Sequence, residues 1–218
     1  MHSPSKLLTT LALAAALSAC GGKNDGRTVS EVAIDPDAAR TAHEAALAEY
    51  PKARLRTDAG DIVIALYVDK APETVRNFRA YAESGHYDGT VFHRVAGDLL
   101  IQGGAYTADY RIKPERGFIR SESDNGLRNL RGTVAAARRG NDADSAGAQF
   151  FINVVDNPQF DFVSAVDAAG RGYTVFGEVI EGMAVVDALR KVPVASRPGI
   201  GAQVPKAPIV IRRVTVED

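Results

Sequence analysis

The sequence predicts a mainly β protein, built as a closed antiparallel β-barrel with helical caps, and three observations support this class. The 218 residues include 20 Gly and 10 Pro, a content that suits many turns between short strands. Short apolar segments with strand-like alternation outnumber helical patterns in the body of the chain. Only two helical patterns fall among those segments, whereas a doubly wound α/β sheet would alternate helices and strands regularly. A closed barrel therefore describes the pattern best.

The composition excludes several classes of protein. With 26 Lys and Arg against 27 Asp and Glu, the formal net charge is -1, which argues against a basic face that binds nucleic acid. The single Cys excludes an internal disulfide, a Cys-x-x-Cys redox pair and an all-thiolate zinc site. The sequence contains no phosphate-binding Gly-rich loop and no His-Glu-x-x-His motif, so neither a metal nor a cofactor is expected.

The chain opens with an apolar run, Leu7 to Ala19, preceded by Lys6. The run is too short for a membrane-spanning helix but has the length of a signal-peptide core. Its end, Leu17-Ser18-Ala19-Cys20, resembles the lipobox of bacterial lipoproteins, in which the chain is cut before a Cys whose thiol is lipidated. The resemblance implies a lipoprotein signal peptide over residues 1–19 and a membrane anchor at Cys20. An ordinary secretory signal or an uncleaved anchor is the alternative.

A lipidated Cys20 implies a protein of the bacterial cell envelope that faces the periplasm, and Gly21 favours the outer membrane over the inner one. Residues 20–50 are then predicted to be a tether that includes a short helix. The polar, Gly-containing start of this segment is typical of flexible linkers. The Ala-rich stretch after Asp35-Pro36 suits a helix, because Asp caps helices and Pro fits their first turn.

The remaining residues, 51–218, are predicted to form one domain, which is long enough to bury a sizeable core. It begins with a β-hairpin, since Asp58-Ala59-Gly60-Asp61 supplies turn chemistry and apolar residues alternate through 61–68. Further strands are predicted at 90–95, 99–102, 132–137, 149–154, 173–179 and 209–216.

Two helices are predicted among these strands. Pro72 and Glu73 suit the first turn of one helix, which ends near Gly85. The other helix spans 182–191 and stops before Pro193. The Pro- and Gly-rich stretch between Pro193 and the last strand is predicted to be a loop.

Two polar side chains interrupt strands that otherwise have the pattern of buried core. Arg94 lies in Val91-Phe92-His93-Arg94-Val95, and Gln102 lies in Leu100-Ile101-Gln102-Gly103-Gly104. Arg and Gln are rarely buried without partners, so each faces either a wet pocket or a buried polar network. The residues alone leave both interpretations open.

The segments around these residues resemble the cyclophilin-type peptidyl-prolyl isomerases. The first three matching motifs are Phe92-His93-Arg94-Val95, Ile101-Gln102-Gly103-Gly104 and Gln149-Phe150-Phe151-Ile152-Asn153. Further matches, in family order, are Ala71 to Phe78, Asp124 to Leu127, Val175 to Val179 and Glu181 to Met183, and the whole resembles the bacterial periplasmic branch. The likeness covers about residues 53–217. It implies a closed eight-stranded antiparallel β-barrel capped by two α-helices.

The resemblance implies a peptidyl-prolyl cis-trans isomerase that accelerates X-Pro bond rotation in extracytoplasmic proteins and so assists their folding. Arg94 matches the family arginine that donates a hydrogen bond to the prolyl nitrogen of the twisted amide, and Gln102 matches the residue that positions the substrate backbone. His93 is predicted to point to the opposite face from Arg94, because side chains alternate along a strand, and so to be a structural residue or one that supports the site from behind. The implied partners are proline-containing polypeptides, the chain is expected to be monomeric, and no cofactor is implied.

The resemblance also implies an apolar substrate pocket. Phe151 matches the floor of the proline pocket, and Ala137 matches a small residue in the wall beside the neighbouring subsite. The implied substrate-binding residues are Phe151, Leu99, Leu100, Ala137, Phe160 and Tyr173. Plain barrel core is the alternative interpretation for Phe151, Leu99 and Leu100.

This chain departs from the family pattern at four positions. Leu99 and Leu100 stand where the family usually has Phe and Met, Gln159 stands where Trp is frequent, and Tyr173 stands where many members have His. These changes keep apolar volume but remove aromatic surface, so isomerase activity is expected to be retained, at a lowered or unchanged rate, and cyclosporin-like macrocycles are expected to bind poorly. A binding module without much turnover, or a lipoprotein with a purely structural role, is the competing function.

Overall fold

The computed structural model describes residues 35–218. The predictions made for the signal peptide, for Cys20 and for the first part of the tether lie outside the described residues. Within 35–218, no helix combines the length and apolar character needed to cross a membrane.

The described chain forms ten β-strands, eight of which close an antiparallel barrel, as predicted. The strands are β1 (Lys52–Thr57), β2 (Gly60–Leu66), β3 (Thr90–Ala96), β4 (Leu100–Thr107), β5 (Thr133–Ala136), β6 (Phe150–Asn153), β7 (Val175–Glu181), β8 (Val194–Arg197), β9 (Gly201–Pro205) and β10 (Val210–Glu217). Around the barrel the order is β1-β10-β3-β4-β6-β5-β7-β2. Strand β4 continues five residues beyond its predicted span of 99–102, because its two glycines do not end the pairing.

Three α-helices accompany the barrel in the described range: α1 (Pro36–Ala48), α2 (Pro72–Glu83) and α3 (Met183–Leu189). Helices α2 and α3 correspond to the two predicted ones. Helix α2 begins with the predicted Pro and Glu and buries Val75 and Phe78 on one face. Helix α1 falls in the segment for which a short helix is expected from the sequence.

Apolar side chains fill the interior of the barrel. Strand β2 directs Ile62 and Ile64 inward, where both are fully buried. Phe78 of α2 closes the interior by packing on Phe150 and Phe176, with ring centroids 5.7 and 5.3 Å away. Because the interior is filled by its own side chains, a site for a polypeptide must lie on the outer surface of the barrel.

The predicted loop after Pro193 is instead a β-hairpin, formed by β8 and β9. In its turn, Ile200 N donates to Arg197 O at 3.1 Å and Gly199 has a φ of 78°. Pro198 followed by a Gly with positive φ is the pattern of a type II turn. The loop prediction is wrong because β8 is exposed along its whole length and so lacks the apolar alternation by which the other strands were recognised.

Helix α1 packs against the outer surface of the barrel. Leu47 is 7% exposed and belongs to an apolar cluster that includes Tyr67, which follows β2. Two polar side chains add to this contact: His43 Nε2 lies 3.1 Å from Glu178 Oε2, and the Tyr67 hydroxyl donates to the same oxygen at 2.7 Å. Helix α1 is thus attached to the barrel by the buried side chain of Leu47 and by the contact between His43 and Glu178.

The contact of α1 leads to the first prediction. Replacing Leu47 with Ala is expected to lower the free energy of unfolding by about 2–3 kcal/mol, or to release α1 alone, because a buried Leu is truncated. Urea denaturation measures the first effect and amide hydrogen exchange in α1 the second. Glu49→Ala, at an exposed position beside the helix, is the control. An unfolding midpoint and exchange pattern identical to those of the parent would contradict the packing role of Leu47.

Candidate active site

Arg94, Gln102 and Phe151 lie side by side across three neighbouring strands. In the strand register Arg94 of β3 faces Gln102 of β4, and Gln102 faces Phe151 of β6. The row continues to Ala135 of β5. Residues directly opposite each other on paired strands direct their side chains to the same face. This is the outer face, since the neighbouring residue Ile101 belongs to the interior cluster.

A β-bulge in β3 brings Arg94 into this row. Phe92 pairs with Gly103 while Arg94 pairs with Gln102, so His93 is one extra residue on β3. Phe92 therefore packs inside the barrel and Arg94 is exposed outside it. The prediction that His93 points away from the Arg94 face is wrong, because the bulge interrupts the alternation and both residues line one cavity.

The cavity that these two residues line has a volume of about 330 Å³ and polar walls. Arg94 Nε donates to Gln203 Oε1 at 3.1 Å, and Gln102 Nε2 donates to Gln149 Oε1 at 3.0 Å. Arg94 is exposed and Gln102 is half-buried. Of the two interpretations that the sequence leaves open, the structure therefore supports the wet pocket.

The six residues implied to bind substrate all belong to one apolar cluster on the outer face, named here the outer cluster. Phe151 is 2% exposed, and its ring meets those of Phe160 and Tyr173 at centroid distances of 5.7 and 5.4 Å in edge-to-face contacts. The buried members are Leu47, Ala65, Tyr67, Leu100, Ala135, Ala137, Phe151 and Val175, with Leu99, Phe160 and Tyr173 packed against them. Phe151 does not belong to the interior cluster, so plain barrel core is not its environment.

Arg138 holds the aromatic side of the outer cluster in place. Its guanidinium lies 4.6 Å from the centre of the Tyr173 ring, a cation–π contact. The same group donates to Gly172 O at 2.8 Å and to Ala168 O at 2.5 Å. Tyr173 N in turn donates to Phe160 O at 2.9 Å, which fixes the two rings relative to each other.

Sequence reasoning missed Arg138, Gln149 and Gln203 as members of this site. Gln149 was within reach, because it opens the strand motif that also contains Phe151. Gln203 was not, because its segment was predicted to be a loop and its contact with Arg94 spans 109 positions of sequence.

His93 is uncharged at neutral pH. It is 5% exposed, its ring packs on Tyr106 at 4.8 Å, and its Nδ1 has no hydrogen-bond partner within the described range 35–218. Burial lowers the pKa of His93 to about 4, and the adjacent Arg94 charge acts in the same direction. The cavity is therefore lined by the permanent cation Arg94 next to a neutral imidazole.

This lowered pKa predicts a loss of stability in acid. Between pH 6.5 and about 4 the unfolded chain binds a proton at His93 that the folded chain does not. The free energy of unfolding therefore falls as the pH falls through this window, by at most about 3 kcal/mol. His93→Phe keeps a ring against Tyr106 and is expected to lose this part of the pH dependence, as measured by urea denaturation at pH 7 and 4.5.

The pKa of His86 is also lowered by burial, so His86 adds to the pH dependence of stability as well. Because His86 is present in both the parent and the His93→Phe variant, its contribution cancels when the two proteins are compared. The difference between parent and variant thus isolates His93 from the carboxylates that titrate in the same range. Equal slopes of stability against pH in the two proteins would contradict the assignment.

The fold is similar to that of solved cyclophilin structures. A crystal structure of a Cryptosporidium parvum cyclophilin type peptidyl-prolyl cis-trans isomerase in the presence of the dipeptide Ala-Pro has a TM-score of 0.61 at 24% identity. The match covers 77% of this chain and 99% of that chain. A second structure of the same protein has a TM-score of 0.62 and also 24% identity, over 78% and 98% of the two chains. These likenesses show the shared fold.

Sequence comparison shows the family. Residues 52–216 match the family model for cyclophilin type peptidyl-prolyl cis-trans isomerases. The chain is 51% identical over 162 residues to peptidyl-prolyl cis-trans isomerase cyp18 of Streptomyces antibioticus, covering 74% of this chain and 96% of that protein. It is 47% identical over 162 residues to peptidyl-prolyl cis-trans isomerase B of Escherichia coli, covering 74% and 97%. The chain belongs to the cyclophilin-type peptidyl-prolyl cis-trans isomerase family, and the predicted enzyme class is confirmed.

Proposed function

We propose that the enzyme accelerates X-Pro rotation by non-covalent stabilisation of the twisted amide, with Arg94 as the donor to the prolyl nitrogen. A planar amide resists rotation by about 18–20 kcal/mol because of its partial double bond. In the twisted state the prolyl nitrogen regains its lone pair and becomes a hydrogen-bond acceptor. The observation that carries the proposal is the row of Arg94, Gln102 and Phe151 across β3, β4 and β6.

Phe151 and the outer cluster supply the pocket for the proline ring in this mechanism. Phe160 and Tyr173 meet Phe151 edge to face, and Leu99 and Leu100 complete the apolar wall. Ala137, a small residue of the same cluster, is the proposed wall beside the pocket for the residue next to proline. A proline ring held here places its nitrogen toward Gln102 and Arg94, which follow in the row.

Gln102 positions the substrate backbone in this proposal. Its Nε2 donates to Gln149 Oε1 at 3.0 Å, which orients the amide, and its Oε1 is the atom proposed to accept from a substrate N–H. Arg94 carries a permanent charge and a planar set of donors, which suits a developing lone pair better than a Lys ammonium does. Because this hydrogen bond forms only when the amide twists, it lowers the barrier rather than merely tightening substrate binding. No bond to the enzyme is made or broken.

We also propose that the enzyme is a lipoprotein of the bacterial envelope that assists folding of extracytoplasmic proteins. The support is the apolar run Leu7 to Ala19 and the motif Leu17-Ser18-Ala19-Cys20. Uncatalysed X-Pro exchange takes tens to hundreds of seconds and can limit folding, so a tethered isomerase serves chains that emerge at the membrane. Each buried lipid CH₂ contributes about 0.8 kcal/mol, so several acyl chains on Cys20 anchor the domain firmly. Gly21 favours the outer membrane.

The anchor is tested by replacing Cys20 with Ser in the full-length chain. The parent is expected in the membrane fraction and labelled after growth with radioactive palmitate, because the lipobox resemblance implies that Cys20 is lipidated. The variant is expected to lose the label. A soluble, unlabelled parent protein would instead support an ordinary secretory signal and overturn the lipoprotein proposal.

A further inference from the structure

The β8–β9 hairpin lines the cavity beside Arg94 and is joined to that side chain by a hydrogen bond. Gln203 of β9 accepts from Nε of Arg94 at 3.1 Å. Nε is the donor nearest the side-chain stem, so a bond there fixes the plane of the guanidinium and leaves both Nη groups on its outer edge. Arg94 is exposed, and an exposed Arg side chain otherwise has large rotamer freedom.

The hairpin is itself held rigidly enough to act as a support. Val204, next to Gln203, is buried, and Lys206 N donates to Pro193 O at 2.9 Å across the base of the hairpin. The Tyr110 hydroxyl donates to Pro205 O at 3.2 Å. These contacts fix both β9 and the strand pairing around it.

The ring of Tyr110, whose hydroxyl contacts Pro205, also contacts the turn end of the hairpin. The Arg197 guanidinium of β8 lies 4.0 Å from the centre of the Tyr110 ring. Tyr110 has a φ of 63°, a left-handed conformation that is unfavourable for a residue with a side chain. Both ends of the hairpin are therefore attached to Tyr110, the strained residue after β4. The hairpin also lines the cavity beside Arg94.

We propose that the β8–β9 hairpin is a positioning element of the enzyme and that Gln203 is a positioning residue, which orients Arg94 so that its Nη groups face the substrate amide. The inference rests on the role proposed above for Arg94. Gln203 itself does not touch the reacting atoms. It acts through Arg94, so its contribution exists only while Arg94 is present.

The test uses the full-length chain in detergent and a proline-containing peptide assayed at several concentrations. Gln203→Met keeps the side-chain length but lacks an acceptor, and is expected to lower kcat about tenfold with KM unchanged. Gln203→Glu keeps an acceptor at the same distance and is expected to restore most of the rate. Ser196→Ala, on the exposed strand β8, is the control and is expected to match the parent.

Two further measurements separate positioning from a structural effect. In an Arg94→Ala background, Gln203→Met is expected to cause no additional loss, because residues that act as a unit are non-additive. The NMR order parameter of the Arg94 Nε–H bond is expected to fall in Gln203→Met. Parent-like kcat in Gln203→Met, or an equal loss with and without Arg94, would overturn the inference.

These outcomes differ from those that would overturn the proposed function. If Arg94→Ala turns over as fast as the parent, the mechanism fails and the hairpin has no group to position. If Arg94→Ala is slow while Gln203→Met is not, the mechanism stands and only the positioning role is wrong.

Discussion

Replacing Arg94 with alanine is expected to lower kcat/KM for a proline-containing peptide by about 100- to 1,000-fold. In the proposed mechanism the variant loses the donor to the prolyl nitrogen of the twisted state, while the proposed apolar pocket for the proline ring is untouched. The loss is therefore expected in kcat, with little change in KM. A cis–trans isomerisation assay on soluble residues 21–218 measures both constants.

Two controls accompany the Arg94 variant. Arg94→Lys keeps the charge but not the planar donor pair, and is expected to have an intermediate rate. Arg56→Ala removes another exposed Arg from β1 and is expected to leave the rate unchanged. Because Arg94 is exposed, its variants are expected to unfold at the parent temperature. Equal rates for parent and Arg94→Ala would contradict the role of the guanidinium.

The site is on the outside of the barrel because the inside has no space for it. Inward-facing residues such as Ile101 and Ile152 fill the core, and their neighbours Gln102 and Phe151 on the same strands form the site. The same pairing register therefore builds the stable interior and the functional exterior. The β-bulge at His93 is the one irregularity needed, since it keeps Phe92 in the core while Arg94 joins the row.

The features that the sequence predicts well are those that depend on residues close together along the chain. The alternation of apolar side chains predicts the barrel strands, and a Pro and Glu in the first turn predict α2. The ordered motifs around Arg94, Gln102 and Phe151 predict residues that the structure brings together. In each case the signal lies within a segment of about ten residues, which is the range of strand and helix periodicity.

What the sequence does not predict depends on contacts between distant segments. The bulge at His93 is a feature of the pairing between β3 and β4, and no local pattern marks it. The hairpin was missed because β8 is exposed, and the bond between Gln203 and Arg94 joins positions 109 residues apart. Arg138 was missed because its partners are backbone carbonyls of a loop.

Helix α1 adds a side chain to the outer cluster through contacts between distant segments of the chain. It lies before Lys52, where the family match begins, yet Leu47 belongs to the same outer cluster as Phe151. Tyr50, just after the helix, packs on Tyr67 with ring centroids 5.2 Å apart. The part of this segment that the structure describes is thus continuous, through Leu47 and Tyr50, with the apolar surface around Phe151.

Replacing Phe151 with alanine is expected to lower kcat/KM about 100-fold, chiefly by raising KM, and to lower the free energy of unfolding by about 3 kcal/mol. Phe151 is almost fully buried and contacts two other rings, so its removal opens a cavity in the outer cluster. In the proposed mechanism the proline ring then loses the floor of its pocket, while Arg94 remains in place. Kinetics over a range of peptide concentrations and urea denaturation measure the two effects.

The matched control for Phe151 is a phenylalanine of the interior. Phe176 is equally buried but packs on Phe78 inside the barrel, so Phe176→Ala is expected to lower stability by a similar amount with KM unchanged. Phe151→Leu keeps most of the apolar volume and is expected to fall between parent and alanine variant in both measurements. If Phe151→Ala lost stability but kept the parent KM, the residue would serve the barrel alone, and the proline pocket would have to lie elsewhere on the outer face.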